Sequence, residues 1–269
     1  MLLNSAIAVA ILAFAAAAVP TPTGASMQNG ASNTTNLPTS TPPLPPKDAL
    51  LTQKLFLADT AADRFALLPV DRQFIFDFNA AEKGKAGAGG DLVAANRKTF
   101  PALVGTGSGM AVGFLKGCGF NTPHVHPRAT ELQLVTKGTL VTEMVPENGV
   151  FNEPGQAASK RRVIRNELTA LQMQPFYQGS VHAQFNPDCG DAEFVASFNA
   201  EDFGAGQVVD EVVAMSDDVV VAALGTQVFG DAKGPQDLER FRKSIPASIA
   251  QGVETCMKKC GIQPAAPKA

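Results

Sequence analysis

The stretch Asn121–Gly138, NTPHVHPRATELQLVTKG, holds two of the chain's three histidines on alternate positions, with a glutamate five residues after the second and a glycine seven further on. On a strand, side chains alternate between faces, so His124 and His126 point one way and Val125 the other. Two imidazoles on one face can chelate a single ion, whereas a lone histidine on a strand is more often a hydrogen-bonded structural residue. PRAT reads as a short turn, and ELQLVTKGTLVTEMV as two strands meeting at Thr136, Lys137 and Gly138. Glu131 opens the first of them. If its side chain faces inward, so do Gln133 and Val135, and a carboxylate among apolar groups is costly without a cation to neutralise it. The third histidine, His182, lies in QGSVHAQFNPDCG, a glycine turn followed by a strand that places His182, Gln184 and Asn186 on one face. Three imidazoles and one carboxylate make a metal site with positions left open for water or substrate.

The pattern His124-x-His126-x4-Glu131-x6-Gly138, then Gly179-x2-His182-x3-Asn186, resembles the two cupin motifs of germin-like proteins and spherulins. The resemblance covers about Leu55 to Gly225. It implies an all-β jelly-roll barrel with Mn(II) held by His124, His126, Glu131 and His182, and C-terminal helices that clamp neighbouring subunits into a homo-oligomer. The chain departs from the pattern at two points: Cys118 stands where the first motif usually begins with glycine, and Tyr177 where the second usually has proline. Germins that oxidise oxalate carry asparagines on the strand and loop leading into the first motif. The matching stretch here, Val104–Gly117, has none, so the resemblance implies metal binding with negligible oxalate oxidation.

Composition agrees with one main domain. The 269 residues are 45% hydrophobic, enough for a substantial core. A net charge of -3 and a pI near 5.7 leave no basic footprint for nucleic acid, and beyond the N-terminus no stretch is apolar and long enough to span a bilayer. Residues 1–19 have the form of a secretory signal peptide, an apolar run ending in small residues. Residues 20–48 are a Ser/Thr/Pro-rich linker that cannot offset its ordering entropy, and they carry the glycosylation sequon at Asn33. Residues 49–225 form the barrel domain and 226–269 a helical extension. Within the domain, Asp48–Phe65 has helical spacing, FALLPVDRQFIFDF alternates like a strand through Phe74, Phe76 and Phe78, and many short strands bounded by Gly, Pro and Asn read as a barrel or sandwich. The extension offers two helical stretches split at Pro246. Val125, Leu132, Leu134, Val181 and Phe185 fall on the faces opposite the ligands, where either elements of the same chain or a second subunit must cover them.

Four cysteines in a secreted chain suggest disulfides, with three connectivities available. CMKKC lacks a second short-spaced partner motif, which disfavours zinc. If the histidines face one another across neighbouring strands, as the cupin resemblance implies, Cys118 and Cys189 fall in the same antiparallel register. That leaves Cys256 to pair with Cys260, one helical turn away.

Two functions fit these residues. One is a secreted Mn(II)-binding protein of wall or spore, after the spherulins. The other is an extracellular Mn-dependent redox enzyme, most readily a superoxide dismutase, with a small anion or oxygen species at the metal. Fe(II), Ni(II), Cu(II) or Zn(II) would also fit the donor set, and a sugar-binding or isomerising cupin would need a polar pocket.

Overall fold

The computed structural model describes residues 47–81, 85–156, 159–224, 235–246 and 248–263. The expected signal peptide, the Asn33 sequon and the expected linker lie outside the described residues, except Lys47 and Asp48, which open the first helix. The described strands run in chain order as β1 Lys85–Gly87, β2 Gly90–Ala95, β3 Gly109–Leu115, β4 Gly119–Val125, β5 Glu131–Lys137 and β6 Thr139–Val145. They continue as β7 Ile164–Thr169, β8 Met173–Phe176, β9 Val181–Phe185, β10 Ala192–Phe198, β11 Gly206–Gln207 and β12 Ile249–Gln251. One sheet has the order β1-β2-β3-β10-β5-β8; the other runs β11-β4-β9-β6-β7, with β12 also paired to β4. Neighbours are antiparallel throughout. This is the expected all-β jelly roll.

Period-2 alternation explains which residues fill it. Along β5, Glu131, Gln133 and Val135 are buried while Leu132 is exposed; along β10, Ala192, Phe194, Ala196 and Phe198 are buried. The apolar core gathers Leu115, Val135, Leu140, Phe194, Phe198 and Ile249. Gly138, at φ 75°, makes the turn between β5 and β6, where a side chain would be strained.

The N-terminal helical reading is borne out in type but divided in two. Helix α1 spans Lys47–Leu57 and α2 spans Ala61–Ala66. Thr60 separates them by capping α2: its hydroxyl accepts from the Asp63 amide at 3.2 Å, and the Asp63 carboxylate accepts from the Thr60 amide at 3.1 Å. Leu55 of α1 packs with Leu68 and Val104. The strand expected through Phe74, Phe76 and Phe78 does not form. Asp71–Phe74 is a 3-10 turn, and the Phe76 ring lies 4.8 Å from Phe78 and 5.5 Å from Phe100, so these rings cluster where a strand would send Phe76 and Phe78 along one face of a ladder.

After the barrel come α3 Val208–Val213, α4 Asp217–Leu224 and α5 Pro235–Ser244, whose Val213, Val220 and Leu238 pack together. Arg242 ties them by donating to the Val213 carbonyl at 2.8 Å and to the Asp217 carboxylate at 2.9 Å. The chain then returns to the barrel. β12 pairs with Gly119, Phe120 and Asn121 of β4, and helix α6 Glu254–Cys260 lies against the barrel with Cys256 and Met257 buried.

The cysteine pairing differs from the expected one. Cys118 bonds Cys256, with Cα atoms 5.7 Å apart, and Cys189 bonds Cys260, at 5.3 Å. Two features explain the difference. A bulge between Asn121 and His124 shifts the β4–β9 ladder, so Phe120 opposes Phe185 and the register does not extend from Cys118 to Cys189. Beyond the ladder, Cys118 sits in a turn at φ 57°, its N–H donating to the Asp188 carbonyl at 3.0 Å. Its backbone therefore reaches the Cys189 segment while its side chain turns to α6. Cys256 and Cys260 lie one turn apart on one helix face, and each takes a cysteine from the barrel. The left-handed backbone at Cys118 also explains why glycine suits this position in the first motif. Peptide mapping under non-reducing conditions is expected to recover Cys118–Cys256 and Cys189–Cys260, and replacing Cys189 and Cys260 together by serine is expected to lower unfolding free energy by roughly 2–4 kcal/mol in urea titrations.

Candidate metal centre

His124 lies near the end of β4, His126 just beyond it, Glu131 opens β5 and His182 is the second residue of β9. His124 and His182 are direct ladder partners, which brings their rings to 4.2 Å. All four side chains are buried, and their ligating atoms lie within 4.8 Å of one another. The structure thus brings together the four residues expected from the motif spacing.

Each imidazole is aimed by its back nitrogen. His124 Nδ1 lies 2.8 Å from the Thr122 carbonyl, His126 Nδ1 2.6 Å from that of Gly204 and His182 Nδ1 2.9 Å from that of Ser180. A carbonyl only accepts, so each Nδ1 carries the hydrogen and each Nε2 is turned inward. Phe176 stacks on His182 at 4.3 Å, and Phe198 packs edge-on against His126 at 4.7 Å. Loss of rotamer freedom is thereby incurred in folding, before any ion arrives.

Electrostatics then demand a positive charge. Glu131 Oε2 lies 2.9 Å from His126 Nε2 and 3.3 Å from His182 Nε2. Burial alone would raise the Glu131 pKa, but hydrogen bonds from His126 and His182 outweigh it and hold the carboxyl down to about 2. Burial, reinforced by the charge of His182, pushes His124 down to about 3, so it stays neutral with a free lone pair. A divalent metal would supply that charge and take up the inward-facing donor atoms together, so the residues present fit a metal of the borderline class.

A cavity of about 340 Å³ reaches His124, His126 and Glu131 from one side. It also reaches a residue the motif reading missed, Asn121, which is buried with its amide nitrogen 3.5 Å from His124 Nε2. Regular alternation would send Asn121 and His124 to opposite faces; the bulge between them turns both inward. Pro123 within the run, which cannot donate to a ladder, is the signal for such a bulge. Arg128 likewise lies outside the motif reading. It donates through Nε to the Asp202 carbonyl at 2.9 Å and through Nη2 to the Asp202 carboxylate at 2.9 Å, fastening the segment whose Gly204 carbonyl aims His126.

Residues 78–228 match the family described as Cupin. The chain belongs to the cupin family. Spherulin-1A of Physarum polycephalum is 36% identical over 213 residues, covering 79% of this cupin and 79% of the spherulin. Germin-like protein 1-1 of Oryza sativa subsp. japonica is 34% identical over 115 residues, 42% of this chain and 47% of that one. Among solved structures, recombinant oxalate oxidase in complex with glycolate superposes with a TM-score of 0.52 at 22% identity, covering 64% of this chain and 81% of that one, a likeness of fold. The cupin is therefore germin-like and spherulin-like, and its metal-binding group consists of three histidines and one glutamate.

Acid should destabilise the metal-free cupin, with a sign fixed by these shifts. The unfolded chain protonates His124 near 6.5 and the folded one only near 3, so stability falls as pH drops through that window. Glu131 adds to the loss lower down, between its ordinary 4.5 and about 2. Thermal melts of metal-free protein are expected to show a midpoint falling from pH 6.5 to pH 4, and His124→Gln a shallower fall. Arg128→Ala, which frees the segment behind His126, is expected to weaken metal affinity roughly tenfold in chelator competition, with the barrel's circular dichroism unchanged.

Proposed function

We propose that this cupin is a secreted, spherulin-like Mn(II)-binding protein of an extracellular setting such as a wall or spore coat. The observation that carries the reading is the convergence of three carbonyl-oriented imidazoles on one buried carboxylate. Imidazole and carboxylate donors with positions left open suit Mn(II), and the same set accepts Fe(II), Ni(II), Cu(II) or Zn(II), so elemental analysis decides the metal. The four cysteines support the extracellular part, because both disulfides need an oxidising compartment. No helix among the described residues is long and apolar enough to cross a membrane. The homo-oligomer rests on the resemblance to germin-like proteins and on the exposed Met110, Leu132 and Met173 of the first sheet.

A second reading is favoured by the cavity, which gives small molecules a path to the ligand atoms. Bound there, manganese supplies a redox centre for a small oxygen species such as superoxide. Around it, His124, His126 and His182 hold fixed orientations, Glu131 lowers the net charge of the centre and the Asn121 amide offers one donor beside His124. Oxalate fares worse. Among the described residues no lysine or arginine lines the cavity, where Ala94, Ala111 and Ala196 present methyl groups, so the anion's far carboxylate finds no counter-charge.

Natively secreted protein is expected to carry about one manganese per chain by elemental analysis. It should release negligible hydrogen peroxide from oxalate. Any superoxide dismutation should vanish in His124→Ala together with the metal. Purification with a different metal would overturn the manganese reading, and robust peroxide release from oxalate would restore oxalate oxidation.

A further inference from the structure

We propose that the cavity beside the metal centre binds a monoanionic or neutral oxygen-donor ligand with an apolar body about the size of one aromatic ring, an aryl carboxylate being the simplest member of the class. The inference rests on the metal reading above and adds the chemistry of the occupant. Its basis is the wall facing the ligands. Ala111 of β3 is the ladder partner of both Ala94 on β2 and Ala196 on β10, so three neighbouring strands present methyl groups at one level. In the next row inward, Gly113 opposes Phe194, and a side chain at Gly113 would collide with the Phe194 ring. The glycine thus lets that ring lie down on β3. The alanine row, with the Phe194 ring laid flat beside it, borders a space of about 340 Å³, at the lower end of the size range of small-molecule sites.

Polar and apolar side chains both line this space. At one end stand His124, His126, Glu131 and the Asn121 amide. The alanines, Leu92 and the rings of Phe194, Phe198 and Phe203 supply apolar surface, while Gln207, the ladder partner of His124, adds a polar side chain beside the metal end and Asn96, Thr99 and Asp202 also line the cavity. A ligand matching this pattern places an oxygen on the metal, accepts from Asn121 and lays its apolar part on the alanine floor.

Charge limits the head group. Among the described residues, no lysine or arginine lines the cavity, and its acidic members are Glu131 and Asp202. Arg97 and Arg128 meet Asp202 at 3.2 Å and 2.9 Å and are engaged there. A divalent ion with Glu131 leaves about one net positive charge from the four ligands, enough for a monoanion. The second carboxylate of a dianion would be desolvated against methyl groups with no counter-charge.

The test uses full-length protein loaded with Mn(II), its metal content measured first, and titrated with acetate, benzoate and oxalate by calorimetry and manganese electron paramagnetic resonance. Benzoate is expected to bind at least tenfold tighter than acetate or oxalate and to perturb the manganese spectrum. In Ala111→Leu, which fills the floor, manganese content should persist while the preference for benzoate over acetate disappears. Ala94→Val, at a partly buried position, provides a milder filling variant should Ala111→Leu fold poorly. Equal affinity for acetate and benzoate in a manganese-loaded protein, tightest binding of oxalate, or a benzoate preference untouched in the folded filling variants would each overturn this inference while leaving the metal centre standing. A protein that retains no metal would overturn the metal reading and this inference together.

Discussion

A carboxylate with 2% of its surface exposed, Glu131, is the constraint around which the rest of the barrel is arranged. Ionised and dry, it is tolerable only with positive charge at contact distance. Two imidazoles meet it directly and a third lies at their side, each turned by a backbone carbonyl behind it. Those carbonyls belong to three separate places in the chain, Thr122, Ser180 and Gly204, so the orientation of the site is a property of the closed barrel. Binding of a cation that the unfolded chain holds poorly then returns as stability of the whole fold.

Much of this was legible in the sequence, because it depends on local periodicity. Alternate histidines, the inward triplet Glu131, Gln133 and Val135, and the glycine turn at Gly138 follow from the two-residue repeat of a strand, and the structure buries or turns each as that repeat requires. What escaped depends on departures from the repeat or on contacts between distant segments. Asn121 enters the cavity because of a bulge, and the same bulge spoils the register that would have joined Cys118 to Cys189. Phe74, Phe76 and Phe78 alternate like a strand, but Phe74 packs on Phe65 and Phe76 on Phe78 and Phe100, with no ladder partner among the described residues. Strand β12 is three residues between two helices, too short to show any period, and its existence follows from what β4 offers it.

The two sheets divide the work unequally. The one containing β4 and β9 supplies His124 and His182 from paired strands and His126 from just beyond β4, which β12 also braces. The other supplies the carboxylate and, on β2, β3 and β10, the small side chains that leave room beside it. Changes in the alanine floor therefore alter what fits without moving the imidazoles, and changes behind the histidines alter the metal without closing the cavity. A barrel built this way can vary its ligand and its metal by separate mutations, in keeping with the many chemistries that one fold can carry.

The pairing of β4 with β12 has a consequence in time. During synthesis, β4 emerges more than a hundred residues before Ile249–Gln251, and for that interval its Gly119–Asn121 segment lacks the strand that will cover it. Its other neighbours, β9 and β11, appear earlier; β9 brings only His182, and the Gly204 carbonyl that orients His126 comes later, just before β11. Long-range pairings of this kind close late, after the loop entropy between them has been overcome. The metal-binding strand is thus among the first parts of the barrel to be made and among the last to be finished, and the ion finds its full set of oriented donors only once the chain has passed Gly204.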